Sequence, residues 1–146
     1  MIILSTTLTG VALARKARLK ELICAELYGL CGRLGDSIRF TQAPIKPLLS
    51  GLISSDFRHL GFITPDMVEA RCNPKSCLSD SENKAIGEFL FSLGKTNTES
   101  QLNLILAFGE NIKKSKEAYA ELYRKNSKIY ITFGIFSGIL ISLIII

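Results

Sequence analysis

Gly94-Lys95-Thr96 ends the way a phosphate-cradling loop ends, with a lysine for phosphoryl oxygens and a hydroxyl for the accompanying metal ion. Such a loop also needs glycine at position 89, where this chain has Phe89, and it follows a strand, whereas this segment lies between two helical patterns. The triplet therefore reads as a helix–helix turn whose Lys95 is available to a partner. Cysteine chemistry is equally thin. Cys24 and Cys31, seven residues apart, fall on one helical face as small apolar core residues. Cys72 and Cys77 bracket Asn73-Pro74 at a spacing wider than the two-residue zinc knuckle. All four thiols stay reduced in a cytoplasmic domain. His59, the one histidine, has no sequence neighbours that complete a triad or a ligand set. No pair of carboxylates stands in an acid–base pattern. The residues assign no catalytic, metal or cofactor role, and the chain reads as a non-enzyme.

The elements that must carry these residues are helices. From Arg15 the apolar positions Leu19, Leu22, Ile23, Leu27, Leu30, Leu34 and Ile38 recur at helical steps, one face of a long amphipathic helix. Thr41-Gln42-Ala43-Pro44 interrupts it, and Pro44 and Pro47 suit the first turn of a short helix bearing Leu48, Leu49, Leu52 and Ile53. Thr64-Pro65-Asp66 predicts an N-cap, a proline at N1 and a first-turn acid for a helix that stops before Asn73-Pro74. Ser79-x-x-Glu82 predicts a capping box ahead of Ala85, Ile86, Phe89, Leu90 and Leu93, with Gly94 closing that helix at C′. Thr96-x-x-Glu99 predicts a second box, opening a helix that puts Leu102, Ile105, Leu106, Ile112, Tyr119 and Tyr123 on one period. No stretch alternates for long enough to predict a strand. The expected fold class is all-α, a cytoplasmic helical bundle with N- and C-terminal membrane helices.

The membrane helices follow from the distribution of charge. The last eighteen residues, IYITFGIFSGILISLIII, carry none, and neither do the first fourteen; every Lys, Arg, Asp and Glu lies between Arg15 and Lys128. Eighteen helical residues rise about 27 Å, close to the ~30 Å of a bilayer core, so residues 129–146 read as a C-terminal transmembrane helix. Residues 1–14 reach only about 21 Å. Their basic residues follow the apolar run instead of preceding it, the wrong order for a cleaved signal peptide. This segment reads as an uncleaved N-terminal membrane anchor, truncated if the natural start lies upstream. Residues 15–20 bring four positive charges, residues 113–128 six against Glu117 and Glu121, and residues 21–112 a net −3. The overall +5 thus belongs to the two membrane edges. Basic flanks of this kind put residues 15–128, the helical bundle, in the cytoplasm and suit membrane lipids with anionic headgroups. They also remove the case for a nucleic-acid partner. Thr6, Gly10 and Ala14 in the first segment, and Gly134, Gly138 and Ser142 in the last, repeat every four residues, a spacing that lets membrane helices pack closely.

The opening IILSTTLTGVALARKARLKELI, the junction Leu93-Gly94-Lys95-Thr96-Asn97 with Gln101 downstream, and the terminal apolar helix resemble the stage III sporulation protein AB family of endospore-forming bacteria. The likeness covers essentially the whole chain and rests on order and spacing. The family pattern at the junction reads roughly LG-x-[ST]-D with Gln four residues after the Asp. Asn97 replaces that Asp here, which keeps a capping side chain and loses the charge. Family members begin further upstream, with a full-length first membrane helix. The resemblance implies a place in the mother-cell membrane complex that joins the forespore during engulfment, a machine similar to secretion systems. It implies a soluble domain like those of the platform proteins of type II secretion and type IV pili. The implied partners are a cytoplasmic secretion-type ATPase, stage III sporulation protein AA, and other membrane subunits of the same complex. The bare outline would also suit a membrane-anchored adaptor or regulator of unrelated machinery. Two surfaces are candidates for docking the ATPase: the turn Gly94, Lys95, Thr96 and Asn97 with Gln101, and the loop 74–80.

Overall fold

Two long helices make the spine of the molecule. In the computed structural model, which describes residues 2–145, α1 (Ile2–Thr41) and α4 (Thr98–Ile145) are each unbroken. Within them the side chains of residues 2–9, 134, 137, 138, 141, 142, 144 and 145 lie outside the description. The two helices run antiparallel in constant register. Gly10 lies against Tyr130, Cys31 against Gly109 and Gly35 against Ile105, pairs whose residue numbers each add to 140.

On α1 the steps of three and four bury Ile23, Leu27, Leu30, Leu34 and Ile38, with Cys24 and Cys31 beside them. Helix α1 stops at Thr41 because Gln42 takes a left-handed conformation, φ +47°, and Pro44 follows. Helix α2 (Ile45–Asp56) starts behind Pro44, which holds its N-cap, and buries Ile45 and Leu49. The chain then passes Leu60 and Ile63 to a single 3₁₀ turn, Pro65–Val68, which buries Met67 and Val68. Thr64 precedes it in extended conformation but makes no side-chain cap bond, so the predicted helix shrinks to four residues.

Helix α3 (Asp80–Leu93) opens on the predicted capping box. The Glu82 backbone N–H donates to Ser79 Oγ at 3.3 Å, and the Ser79 N–H donates to Glu82 Oε2 at 3.0 Å. Ile86, Phe89, Leu90 and Leu93 face the core, and Phe89 stacks on Phe108 of α4 with centroids 4.0 Å apart. The loop before α3 lies so close that a Cβ on Gly87 would overlap the Cys72 carbonyl oxygen. Buried Asn83 holds this loop from inside, accepting from Ser76 Oγ at 2.5 Å and donating to the Leu78 carbonyl at 3.3 Å.

Two expectations for the α3–α4 junction need correction. Gly94 is right-handed (φ −71°, ψ −13°), not a left-handed C′ glycine; it is small because a Cβ there would sit 2.5 Å from the Val68 carbonyl oxygen. The Thr96–Glu99 capping box is replaced by a single cap one residue further on. Asn97 is the cap, its Oδ1 accepting from the Ser100 N–H at 3.0 Å, while the Thr96 hydroxyl turns back to the Ser92 carbonyl at 3.1 Å. Further along α4, Ile105, Phe108 and Ile112 form the buried stripe and Leu106 is 61% exposed.

All the buried apolar side chains among the described residues fall between Ile23 and Ile112. That half of the spine, with α2, the 3₁₀ turn and α3, is the head. The other half, where α1 and α4 run on as a pair, is the stalk. Among the described residues no helix is long and apolar enough to cross a membrane. The strict stretch Gly134, Gly138 and Ser142 of the expected C-terminal span, and Thr6 of the expected anchor, are positions whose side chains lie outside the description.

Candidate functional site

The principal cavity of the head is a cleft of about 710 Å³ at the end remote from the stalk. Its floor is the edge of the core, Ile38, Val68 and Leu93. One wall comes from the α1–α2 turn at Gln42 and Pro44, the other from the α3–α4 junction at Gly94, Lys95 and Gln101. The left-handed Gln42 ends α1 and turns the chain into α2, which forms the first wall. The close seating of Gly94 on Val68 fixes the second.

Charge in the cleft is uneven. Lys46 sits between Asp66 Oδ1 at 2.9 Å and Glu69 Oε2 at 3.0 Å. Those hydrogen bonds, Asp66 first and then Glu69, raise its pKa above the ordinary lysine value, so that side is neutralised internally. Lys95 differs. Its ammonium lies 4.0 Å from the Phe91 ring centroid, a cation–π contact that fixes its position, and no ion pair among the described residues includes it. Arg71 approaches the same ring at 5.4 Å and is paired with Glu88 at 2.9 Å. The cleft therefore offers an uncompensated cation beside an apolar floor, which suits a protein surface carrying a carboxylate.

The candidate residues divide accordingly. Gly94, Lys95 and Gln101 line the cleft, whereas Thr96 and Asn97 are occupied in closing α3 and opening α4. Gln101 has a structural task as well: its Nε2 donates to the Leu93 carbonyl at 2.9 Å and the Thr96 carbonyl at 3.0 Å, satisfying the end of α3. Loop 74–80 lies at the other end of α3, about 21 Å away along fourteen residues, so the two candidate surfaces are not brought together. Sequence patterning did not connect Pro44, Lys46 and Glu69 of the far wall, or Ile38 of the floor, with the junction. No local signal does so, because they reach it only through the folded core.

The remaining reactive groups are accounted for by packing. Burial pushes the Cys24 thiol up to about 12, with the nearby Glu82 and Cys77 adding to it, and burial alone pushes Cys31 to about 12. Both thiols are inert at neutral pH. Cys72 is exposed and Cys77 half-buried. Among the described residues no group of three His, Cys, Asp or Glu side chains is placed to hold a metal. His59 is clamped by Glu26 across the fold, its backbone N–H on Oε2 at 2.8 Å and its Nδ1 2.6 Å from Oε1.

The small-residue positions are partly described. Gly10 is buried against Tyr130, where a Cβ would overlap the ring, and Ala14 lines an apolar groove between α1 and α4. The partner of Gly10 is thus an aromatic ring and not another small residue. Thr6, Gly134, Gly138 and Ser142 fall outside the described side chains.

Comparison with known proteins bears on this arrangement. A family model described as stage III sporulation protein AB matches residues 66–146, more than half of the 146-residue chain. The match takes in most of the 3₁₀ turn, α3 and all of α4, hence the junction wall of the cleft, and leaves α1 and α2 outside it. No curated protein and no solved structure matches the chain. On the extent of that family match, the chain belongs to the stage III sporulation protein AB family.

Proposed function

We propose that the chain is a non-enzymatic platform subunit in a secretion-like sporulation complex that links mother cell and forespore. In this reading both chain ends are held in the mother-cell membrane, the head stands in the cytoplasm, and the remote cleft docks the ATPase, stage III sporulation protein AA. Other membrane subunits would pack beside the stalk. The observation that carries the reading is the polarity of the molecule. Uncharged helix ends lie together at one pole, and a cleft with one unpaired, positioned cation lies at the other. Among the described residues the terminal segment also leaves large apolar side chains uncovered, Phe133 at 70% and Leu143 at 68% exposure, as a helix facing lipid would.

The test is titration of the purified ATPase into the full chain in detergent micelles, followed by calorimetry. Binding at about 1 μM or tighter is expected, with Lys95→Glu weakening it by roughly tenfold. The Lys95 backbone N–H bonds to the Ser92 carbonyl, which any residue there can do, and its side chain is exposed at the rim apart from the Phe91 contact, so the variant keeps the fold. Undiminished affinity in Lys95→Glu would move the dock away from this cleft, and absence of binding by the parent chain would end the platform reading.

A further inference from the structure

A second cavity of about 520 Å³ runs along the stalk, in the groove between α1 and α4. Its chemistry changes along its length. Towards the chain termini it is walled by Val11 and Ile131, in the middle by Arg15, Arg18 and Tyr123, and next to the head by Leu19 and Leu22. Val11, Arg15 and Arg18 follow one another at helical steps of four and three, so they share one face of α1. The groove straddles the point where charge begins, since Arg15 is the first charged residue and Lys128 the last.

The cations at this point are unequal. Arg18 is held by Glu21 at 2.8 Å and lies 5.8 Å over the Tyr123 ring, so its guanidinium is oriented and still 51% exposed. Arg15 takes part in no ion pair among the described residues. Two guanidinium groups one turn apart match the oxygens of a phosphate diester, which each can bind in bidentate fashion. Tyr123 and Tyr130 have the amphipathic rings that settle at the boundary between headgroups and acyl chains. The apolar stretch on the terminal side of the arginines, Val11 and Ile131, runs in the direction an acyl chain would take.

We infer that this groove is a binding site for an anionic phospholipid, with the phosphate on Arg15 and Arg18 and the first acyl carbons against Val11 and Ile131. The inference rests on the membrane reading given above and adds a defined lipid contact to it. A general attraction of basic residues to anionic membranes needs no groove and would involve Lys125 and Lys128 equally. The built site requires the two arginines in particular.

The test reconstitutes the full chain in phosphatidylcholine vesicles carrying spin-labelled phosphatidylglycerol or spin-labelled phosphatidylcholine, and reads the motionally restricted fraction of each. Phosphatidylglycerol is expected to be preferred by roughly fivefold. Arg15→Gln with Arg18→Gln should bring the two lipids close to parity, whereas Lys125→Gln with Lys128→Gln, the same loss of charge off the groove, should retain the preference. Equal losses in the two pairs, or no preference in the parent chain, would overturn the lipid site while leaving the membrane reading intact. If alkaline washing strips the parent chain from vesicles of both compositions, the membrane reading fails and the lipid site falls with it. Circular dichroism of each variant excludes loss of helix as the cause.

Discussion

Head and stalk are built from the same two helices and stabilised differently. In the head, Leu34, Leu49, Leu90 and Leu93 are almost wholly removed from water, and each contributes roughly 1.5–3 kcal/mol. In the stalk the same helix pair has no buried aliphatic stripe among the described residues. It is joined by tyrosines of α4 lying against α1: Tyr130 on Gly10, Tyr123 under Arg18 and Tyr119 under Lys20. The two cation–π contacts contribute about 0.5–1 kcal/mol each. Leu13, Leu122 and Ile131, meanwhile, remain about half exposed or more. One helix can therefore pass from a region assembled by exclusion of water to a region whose surface is suited to apolar surroundings, with no break in its backbone.

The strongest way to break this contrast is truncation. Leu90→Ala in the head should cost roughly 2–5 kcal/mol in a chemical denaturation experiment, because the side chain is almost wholly enclosed by the core and its site cannot collapse freely. Leu122→Ala in the stalk, half exposed, should change stability by less than about 0.5 kcal/mol. Comparable losses at the two positions would mean that the stalk is a second hydrophobic core.

A smaller effect separates the two possible caps of α4. Asn97→Ala should destabilise by about 1 kcal/mol and Thr96→Ala by a few tenths, read as a difference in melting temperature. Equal effects would restore the capping box predicted from Thr96 and Glu99.

The third prediction lies where head and stalk join. Tyr119 Oη donates to Glu82 Oε2 at 2.5 Å, so the box that caps α3 is also tied to α4. Partial burial of the Glu82 carboxyl opposes its ionisation, but the hydrogen bonds from Tyr119, Ser79 and Ser115 outweigh that and hold its pKa below the ordinary glutamate value. A depressed carboxylate stabilises the fold above its unfolded pKa and loses that contribution as the pH falls through the folded value. Tyr119→Phe should therefore cost about 1 kcal/mol at pH 7, with the gap closing as the medium is acidified below about pH 4. A gap independent of pH would assign the loss to packing of the ring.

Local patterns were enough to read much of the head. The period of Ile23 to Ile38, the Ser79–Glu82 box and the two buried cysteines depend on neighbours within a turn or two, and they appear where the spacing puts them. What escaped the sequence depends on distant partners. Thr96 and Asn97 are both capping residues; the choice falls on Asn97 because Gln101 takes the Thr96 carbonyl and Ser92 takes its hydroxyl. Leu106 is as apolar as Ile105, and only the position of Phe89 on the facing helix decides that Phe108, not Leu106, turns inward. The cleft was half legible: its junction wall is a continuous motif, while Ile38, Pro44 and Lys46 arrive from fifty residues earlier through the fold. The Glu26–His59 clamp, across 33 residues, left no trace in local spacing.

The unbroken course of α4 has a mechanical consequence. Its 48 residues form a rod of about 72 Å with Thr98 at the cleft and Ile145 at the far pole. Such a rod acts as a lever. A tilt of about 5° at its base would sweep the cleft sideways by roughly 6 Å, about one helical turn. Anything that grips the cleft and changes shape is thereby geared, without an intervening hinge, to the orientation of the opposite end.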